Sequence, residues 1–154
     1  MDETNKSAFE LGTDGPKSIL VGVDMTEPSL RAGAYAAGLA RRQSSQLTIV
    51  FARQLPAAAM AYDQTGALAA AQLDDYDAVE TQLREGLHRY VYDLDIRIEV
   101  RAGQPLKVIT DIADKVRAEC VVVGSSRPGA FLRTGGPLPA HLIRLRRWPV
   151  IVVP

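Results

Sequence analysis

A chain of 154 residues with eighteen Lys+Arg against eighteen Asp+Glu has the length of one domain and no net field to draw nucleic acid or an anionic membrane. Its 47% hydrophobic content supports a sizeable core, built mainly from Val, Ile, Leu and Ala because aromatics supply only 6%. One cysteine, Cys120, excludes an intrachain disulfide, and no apolar run reaches the ~18 residues of a membrane span.

The opening "MDETNKSAFELGTDGPK" lacks the basic start and apolar run of a secretory signal, so a cytoplasmic protein is expected. Residues 1–16 read as a disordered tail with too little apolar surface to order itself, and 17–154 as the single domain. The run "KSILVGVD" (17–24) is nearly continuous in apolar residues, as a strand covered on both faces should be. A helix follows, with Thr26 as cap, Pro28 in its first turn and Leu30, Ala34, Ala37 and Ala40 at helical spacing. "QLTIVFAR" (46–53) is the second strand. The small-residue loop at 54–66 has no period, and its position suits a mobile cover over a ligand.

The longest helix is predicted at about 67–93, with Leu73, Tyr76, Leu83, Leu87, Tyr90 and Leu94 as its apolar stripe. "IRIEVRAG" (96–103) alternates as a third strand. Gly103 lets the chain turn before Pro105 opens a helix that carries Leu106, Ile109, Ile112 and Val116 on one face. "CVVVG" (120–124) is the fourth strand, in which Cys120 reads as a small buried hydrophobe. A short helix at about 138–147 and "PVIVV" (149–153) complete the chain, and "RLRRW" puts cations at that helix's C-terminus, where they suit the dipole. Strands alternating with helices predict a parallel sheet with helices on both faces. Ligands of such sheets bind beyond the carboxyl ends of the strands, which directs attention to Asp24, the segment after Arg53, Gly103 and Gly124.

"SILVGVDMTEPSLRAGAYAAGLA", "VRAGQPLKVITDIA" and "CVVVGSSRPG…GG…WPVIVVP" together resemble the universal stress protein family over about 17–154. The resemblance implies a five-stranded α/β fold of order 3-2-1-4-5, and a homodimer made through Val150, Ile151, Val152 and Val153 of the fifth strand, with Trp148 at its margin. It also implies a nucleotide site in which the acid after strand one, here Asp24, helps to hold adenosine. A Gly-x2-Gly-x9-Gly-(Ser/Thr) loop after strand four would hold the phosphates. The candidate positions are Asp24, Gly103, Gly124, Ser125, Arg127, Gly129 and Gly136. An Asp at a strand's end equally serves to brace the next turn.

The loop departs from that pattern. Gly124 matches its first glycine, but Arg127 stands at the second, with Gly129 two places late. Gly136 matches the third only after a one-residue deletion, and the hydroxyl expected next is Pro137, with Pro139 close behind. Each proline removes an N–H that a phosphate would use, so weak or absent ATP binding is expected and no cofactor is firmly implied, although ATP or AMP remain the candidates. In the alternative, Arg127 and Arg133 take the place of the usual loop. Neither His88 nor His141 has company at metal-ligand spacing, and no Walker, dinucleotide or Ser/His/Asp pattern occurs. A regulatory or binding module without catalytic or metal residues is the function expected.

Overall fold

Strands and helices alternate through the chain as β1 (Ser18–Val23), α1 (Glu27–Gln43), β2 (Gln46–Arg53), α2 (Ala67–Val91), β3 (Ile96–Ala102), α3 (Pro105–Val116), β4 (Cys120–Gly124), α4 (Leu138–Leu145) and β5 (Val150–Val153). The structure, a computed structural model, describes residues 15–53, 67–125 and 137–154, with residues 67–76 and 88 described by their backbone alone. Two expectations therefore lie outside the described residues: the mobile cover at 54–66 and, except for Gly15 and Pro16, the disordered tail. The five strands pair in parallel in the order β3-β2-β1-β4-β5. Among the described residues no helix is long and apolar enough to cross a membrane.

The sheet has a cluster of buried side chains on each face. α1 and α2 cover one, with Ile19, Val21, Leu47, Ile98 and Val122. α3 and α4 cover the other, where Leu20, Val50, Ile109, Val121 and Leu142 meet. Ile19, Leu20, Val21, Val121 and Val122 are fully buried, so β1 and β4 form the dry centre, which explains their unbroken apolar sequence. Fully burying a side chain of this size contributes about 1.5–3 kcal/mol.

Local chemistry sets the helix boundaries. The Thr26 hydroxyl accepts from Ser29 N–H at the start of α1, and Pro28 occupies its first turn. Gly103 adopts φ +141, a region closed to side-chain-bearing residues, and Pro105 begins α3 two residues later. α1, α3 and α4 each end on a left-handed residue other than glycine, at Ser44, Arg117 and Arg146.

The predicted apolar stripes need two corrections. On α1 the buried side chains are Ser29, Ala32, Ala36, Ala37 and Ala40, whereas Leu30 is 50% exposed and Ala34 faces outward. Small residues bring α1 close to β1 and β4, and close approach outweighed side-chain size in choosing its inner face. On α2, Leu83 and Leu87 pack inward, but Tyr90 is 75% exposed and Val91 takes the buried place. Leu73 and Tyr76 have no described side chain. Arg146, expected within the last helix, is its left-handed cap, and the Arg147 guanidinium lies 4.6 Å over the Trp148 ring while pairing with Asp114.

Candidate functional site

The carboxyl ends of β1 and β4 are adjacent in the sheet, where its strand order reverses, and α1 starts beside both. Asp24 follows β1 directly. Its Oδ1 accepts from Thr26 N–H (3.0 Å) and from the Thr26 hydroxyl (2.5 Å), while its own N–H donates to Ser29 Oγ (3.1 Å). Ser29 Oγ in turn donates to the Thr26 carbonyl at 2.9 Å. This closed set of bonds holds Met25 at φ +65, a left-handed conformation that costs a non-glycine residue about 1–2 kcal/mol. Asp24 thus braces the turn into α1, the structural one of its two readings.

Burial pushes the Asp24 carboxyl up. The hydrogen bonds of the Thr26 and Ser29 side chains and of the Thr26 and Asp24 backbone outweigh it, and the net result lies below the usual 3.8. Asp24 is therefore an ionised acceptor at neutral pH, with Oδ1 committed locally. Sequence reasoning passed over Ser29, the buried hydroxyl that closes the network. The signal was present in "DMTEPS", where a serine three places after the cap is positioned to meet it.

Gly124 and Ser125 lie at the end of β4. A Cβ on Gly124 would sit 2.5 Å from the Pro28 carbonyl carbon and 2.6 Å from Ser29 N, so only glycine lets β4 pass the first turn of α1. The Ser125 N–H donates to the Val153 carbonyl at 2.7 Å and extends the β4–β5 ladder. The first glycine of the loop thus has a packing reason, and the next N–H is already used.

α4 begins at Leu138 with Pro137 as its N-cap, Pro139 as its second residue, and no side-chain cap. A helix start ordinarily presents several unpaired N–H groups to an anion. Here two of those positions carry none.

The structure brings Asp24, Gly124 and Ser125 together around the first turn of α1. Gly103 is not with them. It follows β3, which β2 separates from β1, and its N–H donates to the Arg53 carbonyl at 3.0 Å. Arg127, Gly129, Gly136 and Arg133 lie outside the described residues. Cys120 is buried at 4% exposure, and burial pushes its thiol above the usual value, which removes it from any reactive role. Among the described residues no three His, Cys, Asp or Glu side chains are placed to hold a metal ion.

A parallel sheet whose strand order reverses beside a capped helix defines a doubly wound α/β protein. The family model for the universal stress protein family matches residues 16–154, and the chain belongs to that family. Universal stress protein UspA from Lactobacillus plantarum is similar in structure, at 20% identity and a TM-score of 0.72, over 92% of this chain and 100% of that one. So is a universal stress protein in complex with cAMP, at 23% identity and TM-score 0.65, covering 91% of this chain and 98% of its own. The universal stress protein from Archaeoglobus fulgidus in complex with dAMP has 21% identity and TM-score 0.51, over 89% and 97% of the two chains. At such identities these likenesses establish the fold. No curated protein matches the sequence.

Proposed function

We propose that this chain is a non-catalytic, homodimeric binding module of the universal stress protein type, with weak or no affinity for ATP. The observation that carries this reading is the start of α4. Pro137 stands where a capping hydroxyl and an N–H would serve a phosphate, and Pro139 removes a second N–H at the second residue of the helix. The Asp24 network and the bond from Ser125 to Val153 support it, because groups already satisfied by the protein gain little from a ligand.

Calorimetric titration with ATP, ADP and AMP, with and without Mg²⁺, tests the reading. Little or no heat is expected at micromolar nucleotide, and micromolar binding would overturn it. The Arg127→Gly/Pro137→Ser variant restores a glycine and a hydroxyl, and should tighten binding at least about tenfold, the worth of one recovered hydrogen bond. A variant no better than the natural chain would show that Asp24 does not belong to an adenosine pocket.

The second reading is an adenine-nucleotide-binding stress protein, held by Arg127 and Arg133 in place of the usual loop. The ionised Asp24 favours it, since Oδ2 can still accept from a hydroxyl or amino group. The structures described as complexes with cAMP and dAMP give the ligand class to try first.

Assembly rests on the contrast between the two sheet edges. β3 carries Arg97, Glu99 and Arg101, and Glu99 pairs with Arg101 and with Lys115. Charges of this kind block pairing with another strand. β5 carries only Val150, Ile151, Val152 and Val153, and none of the four is fully buried. An apolar edge calls for a partner, and a two-fold axis lets the same strand supply it.

A further inference from the structure

Between α1 and α2 lies an apolar groove of about 580 Å³, floored by Leu47 and Ile49 of β2. Leu30 and Tyr90 stand at its rim, largely exposed. Its walls are low because Gly33 lines one and Gly86 the other. A Cβ on Gly86 would meet nothing within 4 Å, so packing of the described residues does not require glycine there. Glycine inside a helix nevertheless costs about 1 kcal/mol relative to alanine. The missing side chain leaves room for something other than α1, α2 or the sheet.

The course of the chain indicates what that is. Gly15 packs against Gln43, the last residue of α1, and the Pro16 carbonyl accepts from Ser45 Oγ. Both lie beyond the Arg41 end of the groove, where Arg41 spans from α1 to Asp93 and to the Tyr90 carbonyl. A second hollow of about 370 Å³ runs from Arg41 to Ser45 and Asp95. Fourteen residues precede Gly15. The eight at 7–14, extended at about 3.3 Å each, cover ~26 Å, close to the ~24 Å that α1 rises from Glu27 to Gln43. In "SAFELGTD" (7–14), Phe9 and Leu11 alternate with Glu10, so an extended chain turns both apolar side chains to one face and the acid to the other. On that path Asp14, next to Gly15, would meet the last turn of α1, which carries Arg41 and Arg42.

We propose that residues 7–14 lie extended along the groove, with Phe9 and Leu11 between α1 and α2 and Glu10 toward solvent. The segment cannot order itself alone, but here it needs only to meet a surface to which it is tethered. This inference stands apart from the nucleotide and dimer readings.

Cysteine pairing in the full-length chain tests it. Phe9→Cys with Gly86→Cys should close an intrachain disulfide on mild oxidation at low protein concentration, with buried Cys120 as a silent background. Its rate should exceed at least about tenfold that of Phe9→Cys with Lys107→Cys, whose second cysteine lies on α3 across the sheet. Equal rates, or a disulfide that joins two chains, would overturn the proposal. A second measurement guards against disturbance of α2 by the new cysteine. In full-length Phe9→Asp/Leu11→Asp, hydrogen exchange of α1 and α2 amides beside the groove should quicken about tenfold, with β1 and β4 unchanged. Unchanged exchange beside the groove would also overturn it.

Discussion

Thr48 is fully buried in β2, and its Oγ1 has no hydrogen-bond partner among the described residues. A buried hydroxyl left unmade costs about 1–3 kcal/mol, whereas an apolar group of the same shape loses nothing there. Thr48→Val should therefore raise stability by about 1 kcal/mol, read from the midpoint of urea unfolding at an unchanged slope. A destabilised variant would show that the hydroxyl is satisfied in solution. Asp24 makes the opposite case, since its N–H and Oδ1 are satisfied within its own turn. Its folded carboxyl lies below the usual 3.8, so its contribution to stability is complete above that value and is lost as pH falls through the lower folded value. Asp24→Asn should flatten the loss of stability on acidification below about pH 4, compared with the natural chain in parallel unfolding curves. Identical pH dependence in the two proteins would exclude Asp24 as an acid-sensitive brace.

At the scale of elements, the meeting of α1 and β4 fixes the site. The inner face of α1 is nearly all alanine, and the end of β4 passes its first turn at a distance that only glycine permits. Gly124→Ala forces its new Cβ against backbone rather than against a side chain that can swing away. It should cost about 1–3 kcal/mol, measured by thermal or denaturant unfolding. No loss would mean that the two elements sit farther apart. The same close approach explains why period alone misread α1. Alternating small and large residues give two defensible stripes, and the depth of the sheet surface beneath decides which is buried. α3 left no such choice, because Ile109 and Ile112 have no competitors on its outer face, and they are buried as its spacing predicts.

At the scale of the molecule, the two edges of the sheet differ in chemistry, and the proposed homodimer rests on that difference. The structure decides which residue of β5 can carry a probe. Ile151 and Val153 pack against the α1 side of the core, whereas Val152 is 39% exposed. Lysine at 151 would damage the fold as well as any interface. Val152→Lys places the charge on the exposed side of β5 and should leave a folded monomer by light scattering and circular dichroism, against a dimer for the natural chain. A natural chain already monomeric at micromolar concentration would refute assembly through β5.

The sequence by itself determined the alternation of strands and helices, the turn at Gly103, the cap at Thr26 and the loss of N–H donors at Pro137 and Pro139. Each is a property of one residue or one short period, set by backbone geometry and solvation without help from distant parts of the chain. Strand order was legible only through resemblance to a family, because pairing joins segments as far apart as Ile19 and Cys120. Tertiary structure alone decided that Asp24 turns inward to Thr26, that Gly124 serves the approach of β4 to α1, and that Leu30 and Tyr90 face outward at a groove. Those outcomes depend on how near two surfaces come, a distance that no local pattern encodes.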